Sequence, residues 1–245
     1  MPLFLSKPCY ITTSNPEAML FERKVAVVSF PGIGSVGKVA VDYLISCTNS
    51  RMIMTLPFSG FPPQVLIQDG VARLFTVDVF SPEGREDILL LTSDAQPLEV
   101  LGMNRLAGEI LSDMREMDVR DVVTLAAYVG AVHENVVGTA TDADGVELLK
   151  SAGIAVMPSS IIGGMNGIIA GMAPLYGLRG FCILGTTSGE RLVDLNAARN
   201  LLLSIKNLLQ MEIDVSQLEI EEEEEAEEIE APEDEGYADE DMLYR

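Results

Sequence analysis

The run Val25-Ala-Val-Val-Ser-Phe30, closed by Pro31-Gly32 and followed by helical spacing from Val36, restricts the fold more than any other stretch. A short, β-branched apolar run without polar alternation reads as a strand buried on both faces. Strands of that kind belong to parallel sheets covered by helices. The pattern recurs: Met52 to Leu56 (stopped by Pro57), Asp87 to Thr92, Asp121 to Ala127, Val136 to Thr141, Ile154 to Met157 and Phe181 to Gly185 all read as strands. Between them lie segments of helical period. The first runs from Val36 to Cys47, with Ser35 placed to cap it. A long amphipathic helix follows Pro97, carrying Leu98, Leu101, Ile110, Leu111, Met114 and Met117 on one face. A short helix spans Asp144 to Ala152 with Gly153 as its C-cap, and a last one spans Asp194 to Met211. Val65 to Gln68 and Val71 to Phe80 flank Asp69-Gly70, which predicts a hairpin. The expected fold is α/β and three-layered: a mostly parallel sheet, helices on both faces, and an antiparallel hairpin.

Helical periodicity stops near Met211, and from Glu219 the composition is that of a disordered tail. The predicted organisation is therefore an α/β body over 1–218 and an acidic flexible tail over 219–245. The net charge is −22, from 38 acidic and 16 basic residues. Fifteen of the acids lie between Glu219 and Asp241, which leaves 23 against 16 elsewhere, a balance of −7. Such a charge does not suit nucleic-acid phosphates, and no basic patch or aromatic stacking run offsets it. The apolar stretch Ile161 to Leu175 is interrupted by Gly163, Gly164, Gly167, Gly171 and Pro174, so it does not read as a membrane span. Cys9, Cys47 and Cys182 are far apart and odd in number, as expected of free thiols in a reducing compartment. With no apolar leader at the N-terminus, the expected location is the cytoplasm.

The chain ends Leu243-Tyr244-Arg245. Leucine and tyrosine offer apolar area with one polar handle, and the terminal carboxylate adds an obligatory charge. A pocket with a lysine or backbone donors can clamp such an end. A frayed terminus is the plain alternative. The tether of about 27 residues has a stretched limit of roughly 90 Å and averages about 30 Å as a coil. The acid run also serves as a solubilising tail, which does not by itself explain the ending.

Gly32, Gly34, Gly37 and Lys38 match two phosphate-binding patterns at once. The glycines spell GxGxxG between a strand and a helix, and Gly32, Gly37 and Lys38 also fit GxxxxGK. Both matches fail at the next residue that counts. The second strand ends Thr55-Leu56-Pro57-Phe58 with no acid for a ribose, and Val39 stands where a magnesium-ligating Ser or Thr belongs. The preferred reading of the glycines is a tight turn with close strand–helix packing; an anion-binding loop is the alternative. Gly163-Gly-Met-Asn-Gly167 divides the same way, between a packing loop and an anion nest. Asp142 and Asp144 suit a helix cap better than a cation site. His133 is the sole histidine, so no His-based metal cluster is expected, and His133-Glu134 reads as a loop or strand edge. Ser188-Gly189-Glu190-Arg191 reads as a loop leading to a capped helix.

Pro31-Gly-Ile-Gly-Ser-Val-Gly37 with its helix through Asp42-Tyr43-Leu44, Gly163-Gly-Met-Asn-Gly167 with Gly171 and Met172, and Gly185-Thr-Thr-Ser-Gly189 with Asp194 and Ala197-Ala198 occur in that order. Together they resemble the proteasome assembly chaperone family, in its archaeal form, over roughly residues 20 to 212. The ending resembles the hydrophobic-tyrosine-X motif of proteasome activators. The resemblance implies an ATP-independent homo-oligomer that is not an enzyme and needs no cofactor or metal. Its tails would dock in pockets of the α-ring of the proteasome core particle, to assist assembly or open the gate. Leu243 and Tyr244 would fill the pocket, and Arg245 would present its carboxylate to a pocket lysine. The alternative function is a nucleotide-binding or ligase-like enzyme using the Gly32 to Lys38 loop.

Overall fold

The computed structural model describes residues 24–130, 133–216 and 218. In chain order the elements are β1 (Val25–Ser29), α1 (Val36–Cys47), β2 (Arg51–Pro57), β3 (Val65–Gln68), β4 (Val71–Leu74), β5 (Thr76–Ser81), β6 (Ile88–Ser93) and α2 (Val100–Glu116). They continue with β7 (Asp121–Tyr128), β8 (Val136–Ala140), α3 (Ala143–Ser151), β9 (Ala155–Val156), α4 (Gly164–Met172), β10 (Arg179–Thr186) and α5 (Leu195–Leu209). Eight strands form one sheet in the order β2-β5-β6-β1-β7-β10-β8-β9, while β3 and β4 form a separate two-stranded ribbon. β6, β1, β7 and β10 run parallel; β5 against β6, β2 against β5, and β8 against β10 are antiparallel.

The unbroken apolar runs are explained by burial on both faces. Val25, Val27, Ile88 and Leu90 point into one core with Ala40, Leu44, Leu201 and Ile205 of α1 and α5. Ala26, Val28, Leu89 and Leu91 point into the other with Leu106, Ile110 and Ile169 of α2 and α4. Successive strand residues thus serve opposite layers, each fully buried side chain contributing about 1.5–3 kcal/mol of transfer free energy. Beyond α5, Met211, Ile213, Val215 and Leu218 are buried while Glu212, Asp214 and Ser216 are exposed. This extended strap is held against α1 by the Tyr43 hydroxyl, which donates to the Asp214 carbonyl. Arg85 anchors its start, pairing with Asp87 and donating to the Leu209 and Gln210 carbonyls at the end of α5.

Several sequence expectations are corrected. The second hairpin arm is not continuous from Val71 to Phe80: Phe75 ends it, its ring lying 6.4 Å from that of Phe61, and β5 joins the main sheet instead. Ser35 precedes α1, but its backbone is left-handed (φ 49°) and its side chain makes no capping bond. Gly164 to Met172, read as part of a glycine loop, is helix α4. Its small residues allow an approach that helical periodicity does not register: a Cβ on Gly180 of β10 would lie 2.0 Å from the Ala170 carbonyl oxygen of α4. Leu98 and Leu101 are exposed rather than facing the core. Asp142 does cap α3, accepting from the Gly145 N–H, and Asp194 caps α5 through the Ala197 N–H. Among the described residues no helix is long and apolar enough to cross a membrane.

Candidate functional site

The three glycine-bearing segments meet at the carboxyl edge of the parallel strands, where β1, β7 and β10 end. In α/β sheets, ligands and partners favour this edge. Phe30, one residue past β1, donates its N–H to Asn166 Oδ1 at 2.9 Å, and Asn166 Nδ2 donates back to the Phe30 carbonyl at 3.2 Å. The carboxamide at the start of α4 therefore stands in for a neighbouring strand's peptide and locks the second segment to the first. The third segment joins them through Asp194. Its N–H donates to the Gly34 carbonyl at 2.8 Å, and its carboxylate accepts from the Thr187 hydroxyl at 2.5 Å. Thr187 in turn donates its N–H to the Tyr128 carbonyl at the end of β7.

These clamps frame a cleft of about 420 Å³ lined by Gly32, Ile33, Gln96, Tyr128, Ile161 and Asn166, among others. Asn166 is buried and uses both ends of its amide on Phe30, so replacing it strands two backbone groups. Asn166→Leu should cost about 2–4 kcal/mol of stability, and Asn166→Asp should also destabilise at pH 7, because it keeps the acceptor for the Phe30 N–H but sets a buried carboxylate oxygen against the Phe30 carbonyl; urea unfolding of the two variants checks both losses.

The glycine loop after β1 has its own geometry. Gly34 (φ 57°) and Ser35 (φ 49°) are consecutive left-handed residues that turn the chain into α1. Gly37 lets α1 rest on β7, since a Cβ there would lie 2.1 Å from the Leu125 carbonyl oxygen. Lys38 does not face the loop. Its ammonium binds Asp42 at 2.6 Å, Asp94 at 3.1 Å and the Thr92 hydroxyl at 3.2 Å. Asp94 also receives Arg73 of β4 at 2.6 Å, so the cluster ties the ribbon to the end of β6.

Burial pushes the Asp94 carboxyl up, but Lys38 and Arg73 outweigh it and hold it below the ordinary 3.8. Burial likewise opposes the Lys38 ammonium, and Asp42 and then Asp94 outweigh it, raising its pKa above 10.5. The contribution of Asp94 is thus present above pH 3.8 and is lost as the pH falls below that value; that of Lys38 is present below 10.5 and is lost above it. Asp94→Asn should destabilise the fold by about 1 kcal/mol at pH 7, given the partial exposure of the pair, and by progressively less as the pH is lowered through 3. Denaturant midpoints at pH 7 and pH 3 test this.

The remaining candidates do not assemble chemistry. His133 and Glu134 lie on an exposed bend. Burial pushes the Cys182 thiol up to about 11, which marks it as a packing group. Among the described residues no three His, Cys, Asp or Glu side chains are placed to hold a metal ion. Leu243, Tyr244 and Arg245 lie outside the described residues. Two features escaped the sequence reading. One is the Asn166 clamp, whose only sequence signal is an asparagine inside a glycine cluster. The other is the solvent-facing aliphatic face of the ribbon, which the period-2 spacing of Val65 and Ile67 encodes.

A family model described as PAC2 family matches residues 26–232. The crystal structure of Pyrococcus furiosus PbaB, an archaeal proteasome activator, superposes with a TM-score of 0.73 at 27% identity, covering 85% of this chain and 92% of that one. That of Pyrococcus furiosus PbaA, an archaeal homolog of proteasome-assembly chaperone, gives 0.70 at 24% identity over 80% and 81% of the two chains, a likeness of fold. An uncharacterized protein of Methanocaldococcus jannaschii is 29% identical over 214 residues, 85% of this chain and 83% of that protein.

Proposed function

The chain belongs to the PAC2 family, and from that premise we propose that it is an ATP-independent proteasome assembly chaperone or activator. Its C-terminal tails dock into the α-ring of the core particle. The observation that carries this reading is the likeness to PbaB, which covers 85% of this chain and 92% of that one. The body over 1–218 presents the tail over 219–245, and Leu243 with Tyr244 fills a pocket while the Arg245 carboxylate meets a cation. The proposed place of action is the cytoplasm, and the proposed state is a homo-oligomer. Several tails on one body would raise the local concentration of the motif, offsetting a weak single contact and the cost of ordering the tether.

The role needs no bond-making chemistry. The involvement of Lys38 with Asp42 and Asp94 favours a structural part for the Gly32 to Lys38 loop over a phosphate-binding one. The test is capture of the core particle by the full chain without nucleotide, with peptide hydrolysis measured on the same complexes. Binding with stimulated hydrolysis identifies an activator, and binding without it an assembly chaperone. Failure to bind overturns the reading.

A further inference from the structure

The β3–β4 ribbon carries an aliphatic face that none of the described residues covers. Cross-strand pairs share a face. Val65 lies opposite Leu74 and Ile67 opposite Ala72, so these four side chains line up together. All are exposed, with Val65 at 52%, Ile67 at 68% and Leu74 at 66%. The opposite face turns toward the body near the ribbon's base, where Leu66 and Arg73 are half-buried and Arg73 binds Asp94, while Gln68 and Val71 toward its tip are exposed. An isolated two-stranded ribbon is marginal in water, and among the described residues neither outer edge of this one has a strand partner.

At the base of the ribbon lies a groove of about 660 Å³ walled by Phe58, Phe61, Pro63 and Phe75, with Val65 and Leu74 at its junction with the ribbon. None of its lining residues is charged. The apolar surface continues past Phe58, whose ring lies 3.9 Å from where a Cβ on Gly102 would sit, to the exposed Leu98 and Leu101 at the start of α2. Contiguous exposed apolar surface of this kind marks an interaction site.

We propose that this surface is where copies of the chain join, the aliphatic face of one ribbon seating in the Phe58–Phe61 groove of the next. The inference deepens the homo-oligomer reading above and rests on it. A second copy fits by shape and chemistry: copies of a chain of net charge −22 repel one another, so an uncharged contact suits them, and here the convex aliphatic face and the concave groove both lack charged side chains. The same net charge disfavours an anionic membrane as the alternative partner. Size selects the arrangement. Four residues on each of two strands give a face about 14 Å long and about 10 Å wide, roughly 140 Å², small beside the roughly 800 Å² that each partner of a stable interface buries. A subunit that inserts its ribbon into one neighbour and receives another neighbour's ribbon doubles its buried area. Such a contact is heterologous, the kind that builds a ring when its rotation closes.

Light scattering on the full chain should give a multimer, and Ile67→Asp should lower the particle mass at least twofold with an unchanged far-ultraviolet circular dichroism spectrum. In a Cys9→Ser background, Ala72→Cys chains mixed with Ser59→Cys chains should form a mixed disulfide dimer on oxidation. A multimeric wild type whose Ile67→Asp variant keeps its mass overturns the ribbon contact and leaves the oligomer standing. A monomeric wild type overturns both. Should Ile67→Asp unfold, the mixed cross-link decides, and its absence in a multimer overturns the contact.

Discussion

Removal of Leu243, Tyr244 and Arg245 should reduce capture of the proteasome core particle by at least about 100-fold while leaving the thermal midpoint of the body unchanged. The effect is large because the loss is repeated on every copy: when each tail of a multivalent ligand is blunted, the gain from linkage disappears with the single-site affinity. Tyr244→Ala should act nearly as strongly, since the ring supplies most of the apolar area at the tip. Appending one residue after Arg245 should weaken capture as well, because it moves both ring and carboxylate out of register. Arg245→Ala, which keeps the carboxylate in place, should matter far less. Surface-immobilised core particle, titrated with the four variants, gives the comparison directly; undiminished capture by the truncated chain would falsify tail docking.

Gly37→Ala should cost 3 kcal/mol or more, the largest stability loss expected from any change in the glycine loop. The added Cβ would meet the Leu125 carbonyl oxygen at 2.1 Å and carbon at 2.5 Å, both backbone atoms that cannot swing aside. It would also lie 2.6 Å from the Ser29 hydroxyl, which donates to the same carbonyl at 3.0 Å. Relief requires α1 to lift from β7, which opens the packing of Val36, Ala40, Val41 and Leu44. Gly32→Ala, five residues earlier, should be nearly silent. Its backbone is extended (φ −161°), and the nearest atom to an added Cβ is 4.0 Å away. Urea unfolding of the two variants separates a packing glycine from a spare one. A Gly37→Ala midpoint within 0.5 M of wild type would show that α1 does not lie where it is described.

The α/β architecture was legible because β1, β6 and β7 are buried on both faces and so print as unbroken apolar runs. The helices α2 and α5 printed a 3.6-residue period, and Asp142 and Asp194 are cap residues of the expected kind. Helix α4 was illegible for a physical reason: it is built from small residues that admit the backbone of β10, so its contact is a matter of absent side chains rather than of periodic large ones. The break at Phe75 was hidden because β4 and β5 adjoin with no Gly or Pro between Val71 and Ser81, and nothing local tells the chain to change sheets. Of the candidate site, the three glycine segments were identified separately. That they converge, and that Lys38 turns sideways to Asp42 and Asp94, depends on strand order, which period and composition do not encode. The ribbon's aliphatic face was visible in its spacing but carried no sign of exposure.

The position of β1 at the middle of the sheet has a consequence for biogenesis. Both of its neighbours are made after it, and Leu125, which Ser29 contacts, follows 96 residues later. At about 5–20 residues per second of translation, Val25 to Phe30 waits roughly 5–20 s for its second flank. Until β6 is made, this apolar hexapeptide is a newborn strand without a sheet partner, the kind of segment that is prone to aggregate. Completion of the sheet's centre therefore waits on β6 and then β7, the two strands that flank the earliest-made one.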